Sequence, residues 1–354
     1  EEPQAVGDTL MGRLGADGDV NLSEFAGLSI EDLSSINRII ITACGTAAYA
    51  GEVAKYAIEQ LARIPVSVEL AHELRYRNPV IDEHTLVVAI SQSGETMDTL
   101  MAIRYASERG AKILSICNTQ GATLARESNA TIYTHAGPEV AVASTKAFSA
   151  QITAGYLLAL FLAKAVGKTE NLSEIGKELL TLPRKVKKTL EMTGDVRALA
   201  EELKTVESVL FLGRNVGFPI AMEGALKLKE LSYIHAEGFA AGELKHGPIA
   251  LVEKGQVVIV IVPSPSAEES LHAKVMANIQ EINARGAEVI AIAEDGDSEV
   301  SEYAKKVFFT PKTLPLLSPV LSVVPLHIFS MELAKAKGLD VDQPRNLAKS
   351  VTVE

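Results

Sequence analysis

The sequence predicts an α/β chain built from two tandem units, each a parallel β-sheet flanked by helices, and three observations predict it. Apolar β-branched runs alternate with helical patterns, the runs are apolar at almost every position, and the layout occurs twice along the chain. Strands separated by helices imply βαβ crossovers. A strand apolar on both faces is one covered by helices on both sides. The length of 354 residues suits about two domains.

In the first unit, strands are expected at Arg38–Ala43, Pro65–Leu70, Leu86–Ile90 and Lys112–Cys117, with a short fifth at Thr131–Tyr133. Helices are expected at Ala47–Leu61, Thr96–Arg109 and Ala143–Val166. Residues 1–35 read as a polar helical segment, with Asn21-Leu-Ser-Glu as a capping candidate. The repeat shows as three pairs in the same order. Ile39–Gly45 resembles Val209–Gly213, Val87–Ser91 resembles Val257–Pro263, and Arg109–Asn118 (RGAKILSICN) resembles Arg285–Glu294 (RGAEVIAIAE). The expected division is a helical segment 1–35, a first domain 36–166, a helical linker 167–204, a second domain 205–338 and a tail 339–354. The linker's charges, including Pro183-Arg-Lys-Val-Lys-Lys, suit a solvated face.

Composition narrows the function. Hydrophobic residues make up 47% of the chain, enough for well-buried cores. A net charge of −11 disfavours a nucleic-acid backbone as partner but not a small phosphorylated ligand, which local donors can hold. The two cysteines, Cys44 and Cys117, make no disulfide framework and fit reduced thiols and a cytoplasmic setting. The seven histidines include no i,i+4 pair and the sequence has no Cys–His cluster, so no protein-built metal site is expected. No cofactor is expected either. The apolar segments 147–166 and 314–333 carry polar residues or prolines and read as core helices, so no membrane association is expected. The chain opens on Glu1 rather than methionine, from which a fragment or a processed product is expected.

Ser91-Gln-Ser-Gly-Glu-Thr96 follows a strand and opens a helix, the place where open parallel sheets collect ligands. Hydroxyls, a glycine that lets the backbone approach, and free helix N–H groups together suit a phosphate. A plain capped helix start is the alternative. Cys44-Gly-Thr46 is a second strand-to-helix turn. In the second unit, Glu223, Lys227 and Glu230 fall on one helix face, either as surface ion pairs or as acid–base groups. Gly242-Glu-Leu-Lys-His-Gly-Pro248 reads as a loop carrying Lys245 and His246. Near the end, Pro344 opening a helical turn would put Arg345 and Lys349 on one face. A cation so placed favours a neutral, nucleophilic lysine.

These motifs, together with Val142–Phe148 (VASTKAF), Glu223–Glu237 (EGALKLKELSYIHAE) and the terminal DVDQPRNLAKSVTVE, resemble the sugar-isomerase half of the glutamine–fructose-6-phosphate aminotransferase (isomerizing) family, the glucosamine-6-phosphate synthases. The resemblance covers nearly the whole chain. It implies two sugar-isomerase (SIS) domains. It also implies that Ser91, Gln92, Ser93 and Thr96 bind the phosphate of fructose 6-phosphate, with Thr46, Val142, Ala143 and Ser144 along the sugar. Glu230 is then the base moving a proton between C1 and C2, Lys349 the Schiff-base lysine, and Lys227 the group handling hydroxyl protons. His246 assists ring opening from the neighbouring subunit of a homodimer. Ala47 stands where many members have a serine, so one sugar contact is expected to be lost or taken by water.

The family's glutaminase half is missing from this sequence. Fructose-6-phosphate/glucose-6-phosphate isomerisation is therefore expected of the chain alone, and glucosamine 6-phosphate formation only with ammonia from a glutaminase domain. Two other readings stay open, a non-catalytic sugar-phosphate-binding regulatory module and another isomerase or deaminase of the same fold.

Overall fold

The computed structural model describes residues 1–21, 27–194 and 196–353. The chain divides into two compact units, Glu1–Val140 with Ser144–Pro183 and Ala348–Glu354, and Ala141–Ala143 with Arg184–Leu347.

The first unit begins with α1 (Glu2–Leu10) and α2 (Ile30–Ser35). The capping candidate at Asn21-Leu-Ser-Glu reaches beyond the described residues. A capping box does form at α2, where the Ser29 side chain accepts from Asp32 N–H and the Asp32 carboxylate accepts from Ser29 N–H. Then follow β1 (Arg38–Ala43), α3 (Thr46–Leu61), β2 (Val66–Leu70), α4 (Ala71–Leu74), β3 (Thr85–Ser91), α5 (Met97–Ser107), β4 (Lys112–Cys117), α6 (Thr123–Glu127), β5 (Ala130–Tyr133) and α7 (Lys146–Ala165). All strands run parallel in the order β2-β1-β3-β4-β5, and Ile41 of β1 pairs Val68 and Val88 on either side. Every residue of β3 is buried, the pattern of a central strand covered on both faces. Helix α7 packs on α3 through Gly155, where an added Cβ would lie 2.8 Å from Ala54 Cβ. Only glycine allows that approach.

Helix α8 (Leu172–Met192) runs from the first unit into the second, which repeats the plan with α9 (Val196–Leu203) before its first strand. It continues through β6 (Ser208–Gly213), α10 (Gly217–Ser232), β7 (His235–Ala240), β8 (Val257–Ile261), α11 (Glu269–Asn283), β9 (Glu288–Glu294), α12 (Val300–Tyr303), β10 (Lys306–Thr310) and α13 (Pro319–Ala336). The sheet order β10-β9-β8-β6-β7, read from the other edge, matches the first. The three repeated sequence pairs thus fall on β1 and β6, β3 and β8, and β4 and β9.

Three local readings change. Strand β7 was not expected, because His-Ala-Glu-Gly-Phe-Ala has weak strand propensity; pairing along β6 makes it an edge strand. The segment read as a loop, Gly242–Pro248, is mostly a 3-10 turn, Ala241–His246, followed by a second turn at Pro248–Leu251. Helix α7 begins at Lys146 rather than Ala143.

Among the described residues two helical stretches, Lys146–Ala165 and Pro315–Ala336, are long and apolar enough to cross a membrane, and 94% and 78% of their most apolar windows are buried.

Candidate functional site in the first unit and acid–base cluster in the second

In the first unit, β3 ends at Ser91 and α5 begins at Met97, so Ser91–Thr96 is the strand-to-helix loop foreseen. Gly94 holds φ +68° and its N–H donates to Ser91 Oγ at 3.0 Å, which leaves the Ser91 hydroxyl proton to donate elsewhere. Ser91 Oγ and Thr96 Oγ1 lie 3.4 Å apart, and Ser93 Oγ accepts from Glu95 N–H at 3.2 Å. The acidic Glu95 would repel a phosphate, but its carboxylate accepts from Thr123 N–H at 2.8 Å at the start of α6. Those Thr123 hydrogen bonds, backbone first, hold the Glu95 carboxyl below the usual carboxylate range. Thr46 is the first residue of α3, after Gly45 at φ +54°.

The last residues of the chain belong to the same unit. Ser350 Oγ lies 3.1 Å from Ser93 Oγ, and Met97 N–H donates to Val351 O at 3.2 Å. The tail therefore lies along the loop and caps the start of α5. Lys349 Nζ sits 3.2 Å from Glu139 Oε2. Gln92, His135, Glu139 and Lys349 line one cavity of about 510 Å³. The Ser91–Thr96 loop, through Gln92, and the tail, through Lys349, meet at one hollow.

The expected helical turn after Pro344 is absent. Arg345 and Asn346 form a turn, with Asn346 at φ +63°. Arg345 instead places its guanidinium 4.1 Å from the Tyr233 ring centroid, while its N–H donates to Tyr233 Oη at 2.7 Å. The neighbour found beside Lys349 is the Glu139 carboxylate. Asn346, left-handed, interrupts a helical turn at this point, and Arg345 packs on Tyr233, itself left-handed at the end of α10.

In the second unit, Lys227 Nζ lies 2.6 Å from Glu230 Oε2 and 3.5 Å from Glu223 Oε1. These are not surface pairs. The Glu223 and Lys227 side chains are 0% and 1% exposed, whereas Glu230 is 21% exposed. The geometry fixes a buried lysine between two carboxylates, with one of those carboxylates reaching solvent. His327 of α13 lies behind, its Nε2 3.9 Å from Glu223 Oε1. His246 is exposed at the end of its 3-10 turn. Val142 and Ala143 fall with this unit and Ser144 with the first. Val142 N–H donates to Asp342 O at 3.0 Å, and Ala143 packs with Leu231, Ala334, Leu339 and Val341.

Sequence reasoning missed Glu139, Ser350 and His327. Glu139 sits three residues before the VASTKAF motif and had no charge partner nearby in sequence. His327 lies in an apolar helix, where a lone histidine gives no signal. Among the described residues no group of three or more His, Cys, Asp or Glu side chains is arranged to hold a metal ion.

A family model described as SIS domain matches residues 32–161 and 202–335. The chain is 61% identical over 357 residues to glutamine–fructose-6-phosphate aminotransferase [isomerizing] of Corynebacterium diphtheriae, covering 100% of this chain and 57% of that protein. It is 62% identical over 356 residues to the protein of the same name from Leifsonia xyli subsp. xyli, covering 100% of this chain and 58% of the relative. The chain thus spans a little over half the length of the curated relatives it matches. A solved structure, the C-terminal domain of glucosamine-fructose-6-phosphate aminotransferase from Francisella tularensis, superposes with a TM-score of 0.90 at 39% identity, covering 97% of this chain and 96% of that one.

Proposed function

This chain belongs to the SIS domain family and, within it, to the C-terminal isomerising halves of the glutamine–fructose-6-phosphate aminotransferases, and from that premise we propose that it binds fructose 6-phosphate as a Schiff base and isomerises it. The observation that carries the reading is the shared cavity of Gln92, from the hydroxyl-rich loop, and Lys349, from the tail. A loop of hydroxyls and backbone amides suits a phosphate dianion and leaves the lysine for the carbonyl.

In this reading Ser91, Gln92, Ser93 and Thr96 hold the phosphate, and Thr46, Val142, Ala143 and Ser144 line the sugar. His246 assists ring opening. Its exposure suits a group serving the partner subunit of a homodimer. The Lys349 amine adds to C2 of the open ketose, and loss of water leaves an iminium that acidifies C1. Ammonia from a glutaminase domain displaces the lysine to give the fructosimine. Glu230 then takes a proton from C1 and returns it at C2, giving glucosamine 6-phosphate. Without ammonia the same carboxylate interconverts fructose and glucose 6-phosphates. Lys227, anchored by Glu223, orients Glu230 and passes hydroxyl protons. Two free cysteines suit a cytoplasmic setting.

The test is incubation with fructose 6-phosphate in D2O, following label at C1 and C2. Exchange together with appearance of glucose 6-phosphate is the expected outcome. Binding without exchange would instead point to a regulatory module, and faster turnover of amino sugars than of the ketose to a deaminase.

A further inference from the structure

We propose that Glu139 is the counterion of Lys349, holding its ammonium in the resting chain and stabilising the protonated Schiff base that replaces it. The inference rests on the Schiff-base reading above and deepens it.

The geometry gives Glu139 two distinct oxygens. Oε2 faces Lys349 Nζ at 3.2 Å. Oε1 accepts from Thr145 N–H at 2.7 Å and, more weakly, from Ala147 N–H at 3.4 Å, both at the start of α7. The side chain is 5% exposed, against 27% for Lys349. Backbone amides and the positive end of a 20-residue helix favour the anion and fix its position. This pair differs from an ordinary surface bridge because one member is held by secondary structure and the other rides on the chain's terminal strap.

Charge conservation gives the fixed anion a use beyond docking the tail. An alkylammonium and a ketone condense to an iminium and water. The new C=N bond forms at Lys349 Nζ, the carbonyl oxygen leaves as water, and one positive charge stays on the same nitrogen. A carboxylate anchored beside that nitrogen therefore stabilises both the resting state and the intermediate. Two other titratable groups face this corner. His135 lines the same cavity, and Lys146 in the first turn of α7 approaches Gly137 but is paired to Glu1 at 2.7 Å.

The experiment is borohydride trapping of the chain with fructose 6-phosphate at one fixed pH, reading the modified Lys349 peptide by mass. Glu139→Gln is the informative variant, since its amide oxygen can still accept from Thr145 N–H while the charge is gone. It is expected to melt near wild type and to bind glucitol 6-phosphate, which has no carbonyl. Trapping should fall roughly tenfold, because the anion that stabilises the protonated Schiff base is gone. Glu139→Asp should recover part of the wild-type yield. An E139Q chain that traps with wild-type yield overturns the counterion while leaving the proposed function standing. Failure of the wild type to trap at Lys349 overturns the Schiff-base reading, and the counterion with it.

Discussion

Ser93 Oγ and Ser350 Oγ meet at 3.1 Å, tying the Ser91–Thr96 loop to a residue 257 positions later in the chain. Next to it, Val351 O takes the Met97 N–H that opens α5. The tail thereby occupies groups of the loop proposed to hold a phosphate. Ser350→Ala should leave global stability within about 1 kcal/mol, the net worth of one such hydrogen bond. It should speed hydrogen exchange at the Met97 amide and modestly tighten inorganic phosphate. Unchanged exchange at Met97 would mean the strap is held without this hydroxyl pair.

Gly94 gives a sharper prediction. Its φ of +68° is strained for any side chain, and an added Cβ would lie 2.5 Å from Ala122 Cβ and 2.7 Å from Cys117 Sγ. Gly94→Ala should cost about 1–3 kcal/mol from the backbone and a similar amount from overpacking. Denaturant melts should register the loss, and phosphate binding should weaken more than that of a Gly121→Ala control, where φ is +70° but space is open. Equal effects in the two variants would mean that crowding at Gly94 is unimportant.

The buried trio of the second unit separates stability from chemistry. Lys227→Met leaves the Glu223 carboxylate buried without its lysine, and breaking such a pair typically costs about 3–5 kcal/mol. Glu230→Gln, at a partly exposed position, should fold like wild type and slow C1–C2 exchange by about 10²–10⁴, the usual contribution of a positioned base. If Glu230→Gln exchanges as fast as wild type, Glu230 is not the base.

Cys117 ends β4 fully buried, and burial pushes its thiol up to about 11. Only the thiolate alkylates, so at pH 8 Cys117 should react roughly 10²–10³-fold more slowly than a free cysteine of pKa ~8.5. Burial also raises the Cys44 thiol, but that residue is half-buried and should label first. The folded pKa lies above the unfolded one, so the unfolded chain releases the Cys117 proton first. Stability from this group is intact below about 8.5 and declines as pH climbs toward about 11. Labelling of Cys117 as fast as Cys44 in the native chain would contradict this.

Much was legible because it is local or repetitive. Apolar runs such as Leu86–Ile90 mark buried parallel strands by composition alone. The duplicated RGA segments announced a second sheet of the same order, and SQSGET carries its chemistry within six contiguous residues. Helical spacing aligned Glu223, Lys227 and Glu230, since three- and four-residue steps return to one helix face. Spacing could not say whether that face met solvent, and packing buried it. Partners distant in sequence were out of reach for the same reason. Lys349 and Glu139 are 210 residues apart, and no periodicity links them. Arg345 stands outside the expected helical register, next to left-handed Asn346, and contacts the ring and hydroxyl of Tyr233. The sequence by itself determined which elements exist and which side chains can do chemistry. Tertiary structure decided which charges are buried and which carboxylate stands beside Lys349, because burial and long-range pairing exist only once the chain has folded.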